Sequence, residues 1–278
     1  MRAIKMDTKS ILLCAIVLLV VARGAAMAQE GAKNEAADQH ADLAQKLQNP
    51  VAAIINLPIE NNWDFGIGNA RAMTYTANFK PVIPFSLNRD WNLITRTIVP
   101  VMYAESPDKG GPSKVGLGDI KATVYFSPNK PVEGGFWGLG PGLILPTATD
   151  GVLGSEKWSG GPTGAVVRVV GNWTFFLVAA HAWSFAGNSN RSEVNSTFLT
   201  PQASYTTEKN TTFGVNSQSA YDWVATKWTV PLEFSVTQLL KIGNQQVSLS
   251  VAWRTYIERP EGGPNWGLGF TATFVFPK

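Results

Sequence analysis

The chain of 278 residues is 45% hydrophobic and only 15% charged, with a formal charge of +3, enough apolar material for one large domain. One cysteine and two histidines exclude a disulfide framework and supply too few ligands for a conventional zinc site.

Arg2, Lys5 and Lys9 precede an apolar run from Ile11 to Val21, and small residues end at Ala26-Met27-Ala28 before Gln29. This is the three-part layout of a secretory signal, so residues 1–28 are expected to be removed. The run is shorter than the roughly 20 apolar residues of a spanning helix, which argues against an uncleaved anchor. The 23 basic residues then lose Arg2, Lys5, Lys9 and Arg23, and the 20 acidic residues lose Asp7, leaving 19 of each. A nucleic-acid partner would need a retained basic excess, and none remains. Cys14 goes with the signal, from inside the apolar run where no lipid-modified cysteine would sit, and a thiol-free exported chain suits the periplasm.

Residues 29–49 are rich in Ala, Gln, Asp and Glu, with Leu43 and Leu47 four apart, and read as a weakly helical periplasmic lead-in ending at Pro50. From there to residue 278 the period changes to two. The alternation predicts twelve strands at about 51–58, 73–85, 91–104, 115–127, 135–147, 160–170, 173–186, 195–207, 210–220, 226–239, 245–258 and 265–276, with ten or fourteen strands as alternatives. In the eleventh, Val247, Leu249, Val251, Trp253 and Ile257 alternate with Gln246, Ser248, Ser250, Arg254 and Glu258. Most predicted strands exceed the about 5 or 6 residues usual in soluble sheets and match the about 9 to 11 of a tilted membrane strand.

Links after even strands are mostly tight, such as 86–90, 171–172 and 241–245, whereas links after odd strands, 59–72, 105–114, 148–159, 187–194 and 259–264, are longer and polar or glycine-rich. That parity is the short-turn, long-loop asymmetry of outer-membrane barrels. Trp91, Tyr103, Trp173, Trp183, Trp228 and Trp266 fall near strand ends, where interfacial rings sit. The expectation is an all-β, transmembrane, antiparallel up-and-down β-barrel in a bacterial outer membrane. Phe270, Phe274 and Phe276 share one face of the last strand, which resembles the C-terminal strand read by the barrel assembly machinery, apart from the added Pro277-Lys278.

Catalysis and cofactor binding have little to draw on. His40 lies in the lead-in and His181 shares a face with Trp173, Phe175, Leu177, Trp183 and Phe185, whereas Ser184 falls on the other face, so an outer-membrane hydrolase is a remote reading. Glycine strings such as Gly138-Leu139-Gly140-Pro141-Gly142 precede strands and not the helix that phosphate cradling needs. No cofactor and no metal are expected.

The inward face carries more information. Parity and the cost of lipid-facing charge, about 2 to 4 kcal/mol near the midplane, place Lys80, Arg96, Asp119, Lys121, Arg168, Lys227, Glu233, Arg254 and Glu258 toward the lumen, six cations against three anions. Asn78, Tyr125, Gln202, Asn216, Gln218 and Tyr256 join them. Two readings stay open. A mildly cationic, porin-like lumen would pass anionic or polar aromatic small solutes. Alternatively the charges neutralise one another in a closed barrel that binds partners through its extracellular loops.

Several stretches resemble a family of proteobacterial outer-membrane barrels classed as transporters, the phenol-degradation meta-pathway barrel family. They are NPVAAIINLPIENNWDFGIG (50–68), PVIPFSLNRDWNLITRTIVPV (81–101), GLGDIKATVYFSP (116–128), GLGPGLILPTATDGVLGSEKWSGGPTGAV (138–166) and PLEFSVTQLLKIGNQQVSLSVAWRTYIERPEGGPNWGLGFTATFVF (231–276). The resemblance implies an outer-membrane location, surrounding lipid and a role in small-molecule passage, with some relatives linked to aromatic compounds. It carries no catalytic or ligand residue.

Overall fold

The computed structural model describes residues 43–49, 51–132 and 135–276; the expected signal, most of the lead-in and Pro277-Lys278 lie outside them. Among the described residues twelve strands span the wall, three of them interrupted. They are β1 (Ile55–Ile67), β2 (Ala72–Phe79, then Val82–Ser86), β3 (Trp91–Ala104), β4 (Lys114–Leu117, then Ile120–Pro128), β5 (Gly135–Leu145) and β6 (Lys157–Val170). There follow β7 (Trp173–Gly187), β8 (Asn195–Thr206), β9 (Thr211–Asn216, then Ser219–Asp222), β10 (Lys227–Ile242), β11 (Gln245–Glu258) and β12 (Trp266–Phe276).

Each strand pairs antiparallel with its sequence neighbours, and β1 closes on β12 from Ile55↔Phe276 to Phe65↔Trp266. Closure removes the sheet edge, and the side chains are distributed inside out. Leu139, Leu143, Val166, Leu177, Phe234 and Phe270 are exposed on the outer face, whereas Lys80, Asn62, Ser204 and Thr174 are buried. Aromatic pairs stand at both ends of the wall. Trp91 meets Trp137 at 5.7 Å and Trp173 meets Tyr205 at 5.2 Å near the turns, and Phe65 stacks on Trp266 at 4.4 Å near the loops. A closed wall with an apolar exterior between aromatic belts is a transmembrane barrel of the outer-membrane type.

The prolines account for the interruptions. Proline accepts through its carbonyl but cannot donate. Lys80 N donates to Pro58 O at 2.9 Å and Thr97 N to Pro81 O at 3.2 Å, each pair lacking its return bond, and β2 breaks between them. Pro100 faces the break in β4 and accepts from Gly118 N at 2.9 Å. In β9, Ser217 N donates to Pro201 O at 3.1 Å and Ser217 Oγ to Pro231 O at 2.5 Å.

Three expectations are corrected. The first strand is Ile55–Ile67 and not 51–58, so the link to β2 is a tight turn and not a long loop. Ile59, Trp63 and Phe65 face outward, and Glu60, Asn62 and Asp64 inward; the polar intruder on the outer face, Asn61, accepts a hydrogen bond from Tyr75 Oη at 2.7 Å and donates to Phe270 O at 3.3 Å. Arg168 faces outward and is exposed, paired with Gly135 and Phe175, because Thr163, Ala165 and Val167 take the inward positions of β6. Close to the turn end and beside Trp173, its long side chain can reach the headgroup zone, where charge costs little. Glu258 is turned outward by a bulge at Ile257, which sets it opposite Val230 although Tyr256 faces Pro231.

Candidate functional site: the barrel lumen

At the turn end the chain enters the barrel before forming its wall. Residues 43–46 make one helical turn, Gln48 Oε1 accepts from Gln202 Nε2 at 3.0 Å, and Gln45 Nε2 donates to Gly171 O at 2.8 Å. Val51 is buried against Ile94, Tyr125, Ala165 and Val167, with Val82, Phe136, Phe176 and Val178 packed around them. Gly138 makes room for this cluster, since a Cβ there would lie 3.0 Å from Val51 Cγ1. An apolar cluster inside a polar lumen closes the turn end around the incoming chain.

Above it lies a cavity of about 480 Å³ lined from every strand, with Leu47, Gln48 and Asn49 at its floor. One side is a network of paired charges. Lys80 Nζ meets Glu60 Oε2 at 2.5 Å, and Asn62 and Asn78 donate to Glu60 Oε1 at 2.8 and 3.2 Å. Arg254 donates from Nε and Nη2 to Glu233 Oε2 at 3.1 and 2.7 Å, from Nη1 to Asp64 at 3.0 Å and from Nη2 to Asn62 Oδ1 at 3.0 Å. Tyr256 Oη donates to Asp64 at 3.0 Å and Asn216 to Glu233 at 3.0 Å. The charges and their hydrogen-bond partners are mutually satisfied, as charges withdrawn from water require.

The other side is different. Arg96 and Lys121 line the cavity and have no ion pair among the described residues. Lys121 Nζ lies 5.8 Å from the Phe198 ring centroid, reaching from β4 to β8 across the lumen. A lysine that reaches past three intervening strands marks a narrow passage, and the aromatic face partly offsets its charge.

At the loop end, Asp119 accepts from Ser155 N and Oγ at 2.7 Å each and from Ala148 N at 3.2 Å. Leu153 is buried by this inward fold, and Arg191 Nη2 holds Gly151 O at 2.7 Å and Gly154 O at 2.8 Å from the next loop. Asp119 therefore anchors the 146–156 loop over the mouth. Lys227 and Glu258 stand exposed at the loop-side rim, outside the cavity.

Of the residues predicted to line the lumen, Lys80, Arg96, Lys121 and Glu233 line the cavity, Arg254 sits beside it, and Arg168, Lys227 and Glu258 do not. Reasoning from the sequence missed Glu60, Asn62 and Asp64, all on the misplaced first strand. The signal was present in the alternation of Glu60, Asn62 and Asp64 with Ile59, Trp63 and Phe65. His181 Nδ1 lies 2.9 Å from Thr197 Oγ1, and Ser184 Oγ donates to Glu193, so the two form no base–nucleophile pair.

The amino-acid sequence matches no protein-family model and no curated protein. Among solved structures the fold is similar to the COG4313 outer membrane channel from Pseudomonas putida F1, with a TM-score of 0.65 and 13% identity over 82% of this chain and 97% of that one. The NanC porin shares 12% identity over 80% of this chain and 100% of its own at a TM-score of 0.49. At these identities the likeness is one of fold: a closed, twelve-stranded antiparallel barrel of the kind found in bacterial outer membranes.

Proposed function

We propose that the protein is an outer-membrane channel whose lumen passes small anionic solutes, with Arg96 and Lys121 as the groups that favour them. The observation that carries this is the asymmetry of charge. Lys80 and Arg254 are occupied by carboxylates, so among the described residues of the cavity the cations left to meet a solute are Arg96 and Lys121. Phe198 beside Lys121 and Tyr125 in the same cavity make an aromatic anion compatible with the passage. The likeness in fold to a protein described as an outer membrane channel supports passage without naming a solute.

A second reading, a closed barrel acting through its loops, is favoured by the buried Val51 cluster at the turn end. Single-channel recording in a planar bilayer separates the two. A channel selective for anions, whose preference inverts to cations in Arg96→Glu/Lys121→Glu, is the expected result. Truncation before Ile55 should raise its conductance. A barrel that stays silent with and without that segment overturns the channel reading.

A further inference from the structure

A second concave site lies outside the lumen. Thr226, Lys227, Trp228, Val230, Glu258, Arg259 and Glu261 line a groove of about 660 Å³ at the loop-side rim, between the β9–β10 turn and the β11–β12 loop. Local backbone features shape it. Thr226 at φ 55° closes a tight turn, and the bulge at Ile257 brings Glu258 opposite Val230. Trp228 and Val230 share the outer face with Leu232 and the exposed Phe234, so that side of the groove opens toward lipid, while Lys227, opposite Asp222 on the other face of β10, meets the groove at the rim. Three rings are packed at its edge, Tyr221 lying 4.7 Å from Trp223 and 5.0 Å from Trp228. Trp223 is fixed by its Nε1 donating to Thr197 Oγ1 at 2.9 Å, although half of its surface remains exposed.

The charges in the groove are uncommitted. Lys227, Glu258 and Glu261 have no ion pair among the described residues, and Arg259 donates only to its own loop, at Gly263 O. We infer that the groove binds the phosphorylated saccharide headgroup of an outer-leaflet glycolipid. Lys227 and Arg259 take the phosphate, the guanidinium offering paired donors to its oxygens. The exposed tryptophan faces stack on the sugar, and Glu258 and Glu261 accept from its hydroxyls. The acyl chains then continue down the wall over Val230, Leu232 and Phe234. A glycerophospholipid would bring its phosphate to the cations but leave both carboxylates facing it without hydroxyls, and a free phosphate would leave the apolar strip uncovered.

This rests on the outer-membrane placement proposed above but not on solute passage, and a barrel that binds glycolipid without conducting would separate the two. The test uses the full chain refolded into phosphatidylcholine nanodiscs, with diphosphorylated lipid A as probe and bound lipid counted by native mass spectrometry. Lipid A is expected to bind, and Lys227→Gln/Arg259→Gln to weaken it by about tenfold or more. Glu258→Gln/Glu261→Gln should weaken binding as well; tighter binding there would show the acids to be repellents and overturn the saccharide assignment. Arg89→Gln/Lys130→Gln, at the opposite end of the barrel, should change nothing. Equal binding by wild type and the Lys227/Arg259 variant overturns the site. Displacement of lipid A by millimolar inorganic phosphate overturns the lipid as its source.

Discussion

On the side of the lumen built from β1, β2, β10 and β11, both largely buried cations meet carboxylates: Lys80 holds Glu60, and Arg254 bridges Asp64 and Glu233. On the side built from β3, β4 and β8, Arg96 and Lys121 meet none among the described residues, and Lys121 instead extends over Phe198. Seven charged groups thus lie in or beside one cavity but divide into two kinds. The paired ones have exchanged water for one another and serve to hold strands β10, β11 and β1 in register. The unpaired ones retain a field that a solute can feel. Counting charges alone would describe the lumen as nearly neutral; their geometry makes it polarised across its width.

The largest effect is expected where the pairing is densest. Arg254 is 11% exposed and contacts three side chains on two other strands, so Arg254→Ala leaves Glu233 and Asp64 as buried, uncompensated charges. Loss of one partner from such a pair costs about 3 to 5 kcal/mol. Urea unfolding of the barrel in lipid vesicles, followed by tryptophan fluorescence, should show a loss of that size. Arg254→Gln combined with Glu233→Gln and Asp64→Asn should recover most of it. A triple variant no more stable than the single one would mean that the network acts through packing and not through charge.

The paired side was also the part least legible in the sequence, and the two facts have one cause. β10, β11 and β12 show uninterrupted alternation, and their predicted bounds lie within a few residues of the observed ones. β1 places Asn61 on the lipid face, where Tyr75 and the Phe270 carbonyl satisfy it. That single polar residue broke the alternation, turned half the strand into a predicted loop and hid Glu60 and Asp64. Arg168 and Glu258 were misdirected for the opposite reason. An economy argument that every charge points inward holds at the midplane but not near the aromatic belts, and no residue pattern marks a bulge such as the one at Ile257. Arg96 and Lys121 were legible because β3 and β4 alternate cleanly. Their lack of partners was not, since ion pairs across strands depend on register.

The unpaired side also owes its form to backbone contact. Gly138, Gly140 and Gly142 succeed one another along the inner face of β5, and a Cβ on Gly140 would lie 1.9 Å from the Val124 carbonyl oxygen of β4. That oxygen belongs to the neighbouring strand and cannot rotate aside. Gly140→Ala should therefore destabilise the barrel by about 1 to 3 kcal/mol, the usual cost of overpacking. The check is a lowered temperature for loss of heat-modifiable migration. Gly142→Ala, whose nearest neighbours would stand at 3.8 Å or more, should be tolerated.

Smaller still is the effect expected of Arg96→Gln/Lys121→Gln. With no ion pair to break, unfolding stability should stay within about 0.5 kcal/mol of wild type. A loss comparable to that of Arg254→Ala would show these cations to be structural and would remove the contrast between the two sides.

The smallest effect carries the same contrast into the loops. Lys157 is buried at the loop end and reaches out to Glu193, whose side chain remains 65% exposed, at 2.8 Å. The hydrogen bond from Lys157, followed by that from Ser184, holds the Glu193 carboxyl below its ordinary value of 4.5. A carboxyl lowered in the folded state contributes stability that is present above 4.5 and lost as pH falls through its lower folded value. Because Glu193 faces water, the consequence is local: the 188–194 loop should loosen below pH 4.5 while the wall stays intact. Val194 N, bonded to Ser184 Oγ at 3.0 Å, reports on it through its hydrogen-exchange protection factor, with Ala252 of β11 as the reference amide. Protection at Val194 should fall on acidification and that at Ala252 should not, and Lys157→Gln should abolish the pH step. Parallel loss at both amides would show that acid loosens the whole wall and would overturn the assignment of the step to the Lys157–Glu193 contact.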